Sequence, residues 1–160
     1  MPKNKINGYS KPYPEKAATR VSINAFMMGN LFFILTLIWT LSPEKFSLVI
    51  ITQLVFGIPL FLVSSLCYAK VGYWPRHEAW DRFGWLTNTI GNICVLNIIG
   101  LMTATFFKNL AFMYFGLIIL LIGIYYVINV AYKPYTLNER IWKFILFLAL
   151  LFIGGIYPLL

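Results

Sequence analysis

The sequence is poor in charge, and above all in acidic residues. Only 11% of its 160 residues are charged, with 5 Asp and Glu against 13 Lys and Arg, whereas about a quarter of the residues in an ordinary soluble domain are charged. By contrast, 60% of the residues are hydrophobic, above the roughly 45–50% of soluble domains. This balance excludes a water-soluble fold and predicts an all-α integral membrane protein.

Residues that carry metal, haem or nucleophilic chemistry are also scarce. The chain has one His and two Cys, whereas zinc sites need three or four protein ligands. The sequence contains no P-loop, GxGxxG, HExxH, GxSxG or CxxC pattern. We therefore expect no catalytic residue, no metal and no cofactor, and we favour a non-enzymatic role. Cys67 and Cys94 fall at different predicted depths, which predicts free thiols.

Most of the sequence consists of five apolar stretches. Each is near the roughly 20 residues that span a bilayer core. They predict a bundle of about five transmembrane helices, at residues 21–41, 46–69, 83–107, 110–132 and 141–159. Residues 1–20 mix Lys, Pro, Asn and Tyr without apolar periodicity and are predicted to be a flexible basic cytoplasmic tail. Residues 21–160 then form a single transmembrane helical domain.

The basic residues indicate which side each connection faces, because cytoplasmic loops carry an excess of Lys and Arg. Placing the N-terminus in the cytoplasm and the C-terminus on the opposite side gives eleven basic residues inside and two outside. The outside pair is Lys45 and Lys108. Because the positive charges flank apolar segments, the membrane rule explains them and we expect no nucleic-acid partner.

Ionisable side chains are missing from the predicted spans away from their ends, which argues against a proton-coupled transporter. Amides take their place, many of them in the cytoplasmic half. Asp81, Trp85, Asn88 and Asn92 advance by four, three and four residues and so share one helix face, which is predicted to point into the bundle.

These amides admit two interpretations. One is a polar cavity open to the cytoplasmic leaflet that receives a lipid headgroup or a small polar molecule. Its predicted lining is Asn24, Asn30, Asn88, Asn92, Tyr125 and Asn129. The other is a set of interhelical amide hydrogen bonds that hold the bundle together without a ligand. Five glycine positions are predicted to let helix backbones approach closely: Gly91, Gly100, Gly116, Gly123 and the Gly154–Gly155 pair.

The connection before the third span is the densest polar stretch, and the polar start of that helix is predicted from Arg76 onward. His77 can pair with Asp81 at i+4, and Glu78 with Arg82. An acid–base or metal site of His77, Glu78 and Asp81 would have too few ligands. Headgroup or interface contact is the better interpretation, because tryptophans form belts at this level. The predicted interface residues are Trp74, Arg76, His77, Trp80, Arg82 and Trp85.

The leading functional hypothesis is an accessory or assembly subunit of a larger membrane complex. The alternative is a lipid or small-molecule binding protein, or an uncoupled facilitator, that uses the cytoplasmic-leaflet cavity. The expected partners are the lipid bilayer, anionic lipid headgroups near the basic tail, and membrane proteins or a second copy of the chain.

Overall fold

The computed structural model describes residues 5–6, 9–10, 14–41, 44, 46–74, 78–132 and 137–160. Long helices dominate this part of the chain. They are α1 Pro14–Leu41, α2 Leu48–Tyr73, α3 Glu78–Phe106, α4 Lys108–Tyr132 and α5 Leu137–Leu151. After α5 the chain continues as a π-helical turn, Phe152–Ile156, and a 3-10 turn, Tyr157–Leu159. Before α1, two-residue strands β1 Lys5–Ile6 and β2 Tyr9–Ser10 pair antiparallel, with Lys5 opposite Ser10.

The predicted all-helical fold is confirmed, and five helices have the length and apolar composition of membrane spans. The qualifying segments are Pro14–Thr40, Leu48–Tyr73, Glu78–Phe106, Lys108–Ala131 and Arg140–Leu159. Each overlaps one predicted apolar stretch. The chain is therefore a helical bundle of transmembrane character.

Four helices begin earlier than their predicted apolar stretches, and α1 and α3 do so by the most residues. α1 starts at Pro14, inside the segment predicted as a flexible tail. Proline suits the first position of a helix, and Glu15 in the first turn complements the positive end of the helix dipole. α3 likewise carries Glu78 and Asp81 in its first turn. Polar residues therefore extend both helices beyond their apolar parts.

The fold consists of two compact units. Unit 1 comprises residues Met1–Leu41 and Leu54–Asn92, and unit 2 comprises Ser42–Gln53 and Ile93–Leu160. In unit 1, α2 and α3 approach closely at Gly84 and Gly91. A Cβ on Gly84 would lie 3.0 Å from that of Cys67, and one on Gly91 would lie 3.1 Å from the Phe61 ring.

In unit 2 the buried Phe115 of α4 packs against two glycines. A Cβ on Gly100 or on Gly155 would collide with its ring, so neither position accepts a side chain without movement. Close helix approach was predicted at five glycine positions. Gly91, Gly100 and Gly155 are closely packed, but against aromatic rings. The prediction is wrong for Gly116 and Gly123, where a Cβ would meet nothing within 4 Å among the described residues. Cys67 and Cys94 are both free, as predicted.

Candidate functional site

A buried chain of hydrogen bonds links the three helices of unit 1. Asn24 of α1 donates from Nδ2 to Ser64 Oγ of α2 at 3.0 Å. Ser64 Oγ in turn donates to the carbonyl oxygen of Gly84 in α3 at 2.9 Å. Asn24 and Ser64 are fully buried. A hydroxyl can accept one hydrogen bond and donate another, so Ser64 of α2 joins Asn24 of α1 to Gly84 of α3.

Thr87 and Asn88 extend this cluster along α3. Thr87 Oγ1 lies 3.2 Å from the same Gly84 carbonyl and 3.0 Å from that of Phe83. Asn88 is only 6% exposed. The Asn24 Oδ1 and Asn88 Oδ1 atoms are buried and receive no hydrogen bond from the described residues. An unpaired buried acceptor costs about 1–3 kcal/mol, so these oxygens require a donor from elsewhere.

The remaining predicted cavity residues do not join this cluster. Asn92 is half-buried, and Asn30 on α1 is exposed. Tyr125 and Asn129 belong to unit 2, and Asn129 Nδ2 donates to the Tyr125 carbonyl of its own helix at 2.9 Å. The structure therefore joins Asn24 to Ser64, and it buries Asn88 one helical turn beyond Gly84 on α3.

An ion pair joins α1 to α3 in unit 1. Lys16 Nζ lies 2.6 Å from both carboxylate oxygens of Asp81. One turn further along α1, the Arg20 guanidinium lies over the ring of Tyr68, 5.9 Å from its centroid. Asp81 was predicted to pair with His77, which lies outside the described residues. Lys16 was not predicted as the partner, because residues 1–20 were predicted to be a flexible tail.

The other predicted interface residues lie on exposed surface. Trp74 and Trp80 are exposed, and Lys70 Nζ lies 5.9 Å from the Trp74 ring centroid. Arg82 lines an open groove on α3 together with Glu78, Ala79, Phe83 and Leu86.

Trp85 is half-buried, whereas Arg76 lies outside the described part of the chain. The predicted Glu78–Arg82 ion pair does not form; among the described residues the ion pair present is Lys16–Asp81. Within those residues no three His, Cys, Asp or Glu side chains come together to hold a metal.

Unit 2 has a second set of amides, from the half-buried Gln53 and the buried Asn97, directed at the backbone of the last helix. Gln53 Nε2 donates to the Gly154 carbonyl at 2.7 Å, and Asn97 Nδ2 donates to the Leu150 carbonyl at 3.4 Å. In a regular helix the Gly154 carbonyl would accept from the N–H of residue 158, which is Pro158 and has none. The Gln53 amide therefore replaces a missing backbone donor.

Asn97 meets the last helix just before the π-helical turn at Phe152–Ile156. In such a turn i→i+5 bonds replace i→i+4 bonds, and the N–H of Tyr157 donates to the Phe152 carbonyl. Asn97 reaches Leu150, which directly precedes the last residue of α5. Sequence reasoning placed Gln53 and Asn97 inside spans but did not find their partners.

The outward face of α1 combines small and polar residues. Ser22, Ala25, Gly29 and Asn30 are all exposed. A Cβ on Gly29 would have no neighbour within 4 Å among the described residues. Within the described part of the chain the Asn30 amide has no hydrogen-bond partner. This face is therefore open and carries an unpaired amide.

Comparisons of the chain with known protein families, with curated proteins and with solved structures find no match.

Proposed function

We propose that the chain is a non-enzymatic multi-pass membrane protein that binds helices of other membrane proteins, as an accessory or assembly subunit of a larger complex. Its N-terminus lies in the cytoplasm and its C-terminus on the opposite side, which accords with the distribution of Lys and Arg. The observation that carries the proposal is the outward-facing Asn30.

Asn30 lies deep within the apolar part of α1. It is about 15 Å from the Thr40 end of the span at the helical rise of 1.5 Å per residue. Lipid chains offer no hydrogen bond to a carboxamide, so its exposure at this depth is unfavourable. A carbonyl or polar side chain on a neighbouring helix relieves that cost. The amide therefore favours a protein neighbour over lipid.

The residues beside Asn30 fit such a neighbour. Ala25 and Gly29 stand at i and i+4, the small-xxx-small spacing that lets two helix backbones approach within the membrane. The apolar faces of α4 and α5 are also exposed, with 11% of each span buried against 33% for α3. Lipid chains satisfy those apolar faces equally well, so only the α1 face argues for a protein partner.

The test compares two Asn→Leu variants of the full chain, purified gently from the native membrane. Asn30→Leu removes the outward amide, whereas the control, Asn129→Leu, removes an amide that bonds to its own helix. We expect mass spectrometry to find a stoichiometric membrane protein with the wild type and with the control. Its affinity for Asn30→Leu should fall roughly three- to fifteenfold, the range of measured interhelical bonds.

Equal recovery of the partner by both variants would show that Asn30 is not part of the interface. Recovery of only a second copy of the chain would show that the protein forms a homo-oligomer and not a larger complex.

The unpaired oxygens of Asn24 and Asn88 favour a second candidate function, a binding protein for a lipid or small polar molecule, which also suits an uncoupled facilitator. Both oxygens accept hydrogen bonds, so the ligand must carry N–H or O–H donors. Phosphatidylethanolamine has such donors on its ammonium group, and phosphatidylcholine has none.

We expect phosphatidylethanolamine to raise the unfolding temperature above that in phosphatidylcholine. Asn88→Leu, which removes one of the two acceptor oxygens, should abolish this difference, whereas Asn92→Leu should leave it unchanged. A difference that persists in Asn88→Leu would exclude this site.

A further inference from the structure

The amides of Gln53 and Asn97 in unit 2 are neighbours. Both amide nitrogens lie within 3.5 Å of the point that a Cβ on Gly154 would occupy. A Cβ on the adjacent Gly155 would collide with Asn97 Oδ1. The absence of side chains at Gly154 and Gly155 thus makes space for the two amides. Gln53 belongs to α2 and Asn97 to α3.

The backbone of the last helix fixes the orientation of both amides. Each nitrogen donates to a carbonyl oxygen, Gly154 for Gln53 and Leu150 for Asn97. Turning either amide by half a rotation would set two acceptor oxygens against each other. The oxygens Gln53 Oε1 and Asn97 Oδ1 must therefore point away from those carbonyls. Both are buried and receive no donor from the described residues, and Asn97 as a whole is 2% exposed.

We infer that unit 2 binds a water molecule at the π-helical turn, which donates one hydrogen bond to Gln53 Oε1 and one to Asn97 Oδ1. This site is separate from the α1 face and from the cluster around Ser64.

Water fits the chemistry of the two acceptors. It carries two donors, and buried waters typically make about three hydrogen bonds to groups that are otherwise unsatisfied. Two amide oxygens are neutral, so a cation bound there would have only dipoles to offset its desolvation. A neutral molecule with two donors can bond to both oxygens without the cost of desolvating a charge, and water is the smallest such molecule.

The water has a structural consequence. Gln53 and Asn97 supply donors to the backbone at the end of α5, and the water supplies donors to Gln53 and Asn97. The hydrogen bonding of the π-helical turn is thereby completed from outside its own helix. The bound water acts as a positioning element for the last turns of the chain.

Solid-state NMR on the full chain in bilayers, with the amides of Asn and Gln labelled, tests this inference directly. We expect magnetisation to pass from water to the side-chain amides of both Gln53 and Asn97. Asn97→Leu should abolish the transfer to Gln53, and Gln53→Met should abolish the transfer to Asn97, so either variant suffices if the other fails to fold. Asn129→Leu, in the same unit, should leave both transfers unchanged.

Two results would overturn the inference. In the first, the wild type shows no transfer from water, and exchange of choline chloride for sodium chloride shifts both amide signals, which would make this a cation site. In the second, the wild type shows no transfer and no response to sodium, which would mean that no small donor binds the two oxygens.

Discussion

Units 1 and 2 both join their helices through buried amides, but they use different acceptors. In unit 1 the Asn24 amide donates to the Ser64 hydroxyl, which passes the bond on to the Gly84 carbonyl. In unit 2 the amides of Gln53 and Asn97 donate straight to backbone carbonyls around a π-helical turn. Unit 1 thus adds side-chain hydrogen bonds between helices, whereas unit 2 uses side chains as donors to backbone carbonyls at an irregular helix end.

This difference predicts how each unit responds to substitution. In unit 1 the Asn24–Ser64–Gly84 hydrogen bonds form a relay between helices, and the backbone hydrogen bonds of the helices persist when a side chain of this relay is removed. In unit 2 the same change leaves a backbone carbonyl without a donor in an apolar setting, which is more costly. The free energy of unfolding should therefore be more sensitive to changes in unit 2, and four substitutions measure the contrast.

The largest effect is expected for Gly155→Ala in unit 2. The added Cβ would lie 2.7 Å from the Phe115 ring and would also collide with Asn97 Oδ1. Overpacking of this kind typically costs about 1–3 kcal/mol. The control is Gly116→Ala in α4, where the Cβ would meet nothing within 4 Å among the described residues. Because Ala favours a helix by up to about 1 kcal/mol, the control should be neutral or stabilising in detergent unfolding.

Gln53→Met should cost about 1–2 kcal/mol, because it leaves the Gly154 carbonyl without a donor. Pro158→Ala restores a backbone N–H at the position from which a helix would serve that carbonyl. In the Pro158→Ala background the cost of Gln53→Met should therefore shrink to a few tenths of a kcal/mol. A double-mutant cycle of unfolding free energies measures this coupling. Equal costs in both backgrounds would show that Gln53 does not replace the missing proline N–H.

Ser64→Ala tests the relay of unit 1, with an expected loss of about 1 kcal/mol. The change leaves Asn24 Nδ2 without its acceptor, whereas the Gly84 carbonyl keeps the Thr87 hydroxyl nearby. The matched control is Ser65→Ala, whose hydroxyl donates to Phe61 of its own helix at 2.9 Å. If the two variants unfold with equal free energies, the bond between helices adds nothing beyond a local one.

The smallest effect is expected for Asp81→Asn, which breaks the ion pair with Lys16. The two side chains are 33% and 42% exposed, and exposed pairs contribute roughly 0–1 kcal/mol. The difference from wild type should shrink further as salt is raised, because salt screens surface charges. Glu78→Gln, at an exposed acid without an ion-pair partner among the described residues, is the control. A loss that does not change with salt would indicate that the pair acts through packing.

The number and extent of the helices could be predicted because membrane spans are marked by long apolar stretches. Hydropathy placed the start of the third span at residue 83, whereas α3 begins at Glu78, close to the polar helix start that was predicted from Arg76 onward. No such start was predicted for α1, because its polar first turns have no hydropathy pattern. The periodicity of α3 also predicted an inward face. Of its four residues Asn88 is buried, whereas Asp81, Trp85 and Asn92 are half-buried.

The partners of the amides could not be predicted in the same way. Gln53 and its acceptor Gly154 are 101 residues apart, and Asn97 and Leu150 are 53 apart. Contacts at such separations depend on how helices are aligned, which the period of one helix does not determine. Pro158 did carry local information, since a proline within a helix leaves one carbonyl without its backbone N–H donor. Only the packed structure shows which side chain donates to that carbonyl instead.

The early start of α1 has a consequence for the thickness of the membrane around the protein. A helix of 28 residues is about 42 Å long, whereas the hydrocarbon layer of a bilayer is about 30 Å thick. In unit 1 the Lys16–Asp81 ion pair joins the first turns of α1 and α3 within this excess length. In a thicker or thinner bilayer the lipid headgroups would therefore lie at a different height along these charged first turns. The helix length beyond the hydrocarbon layer would accommodate the hydrophobic mismatch.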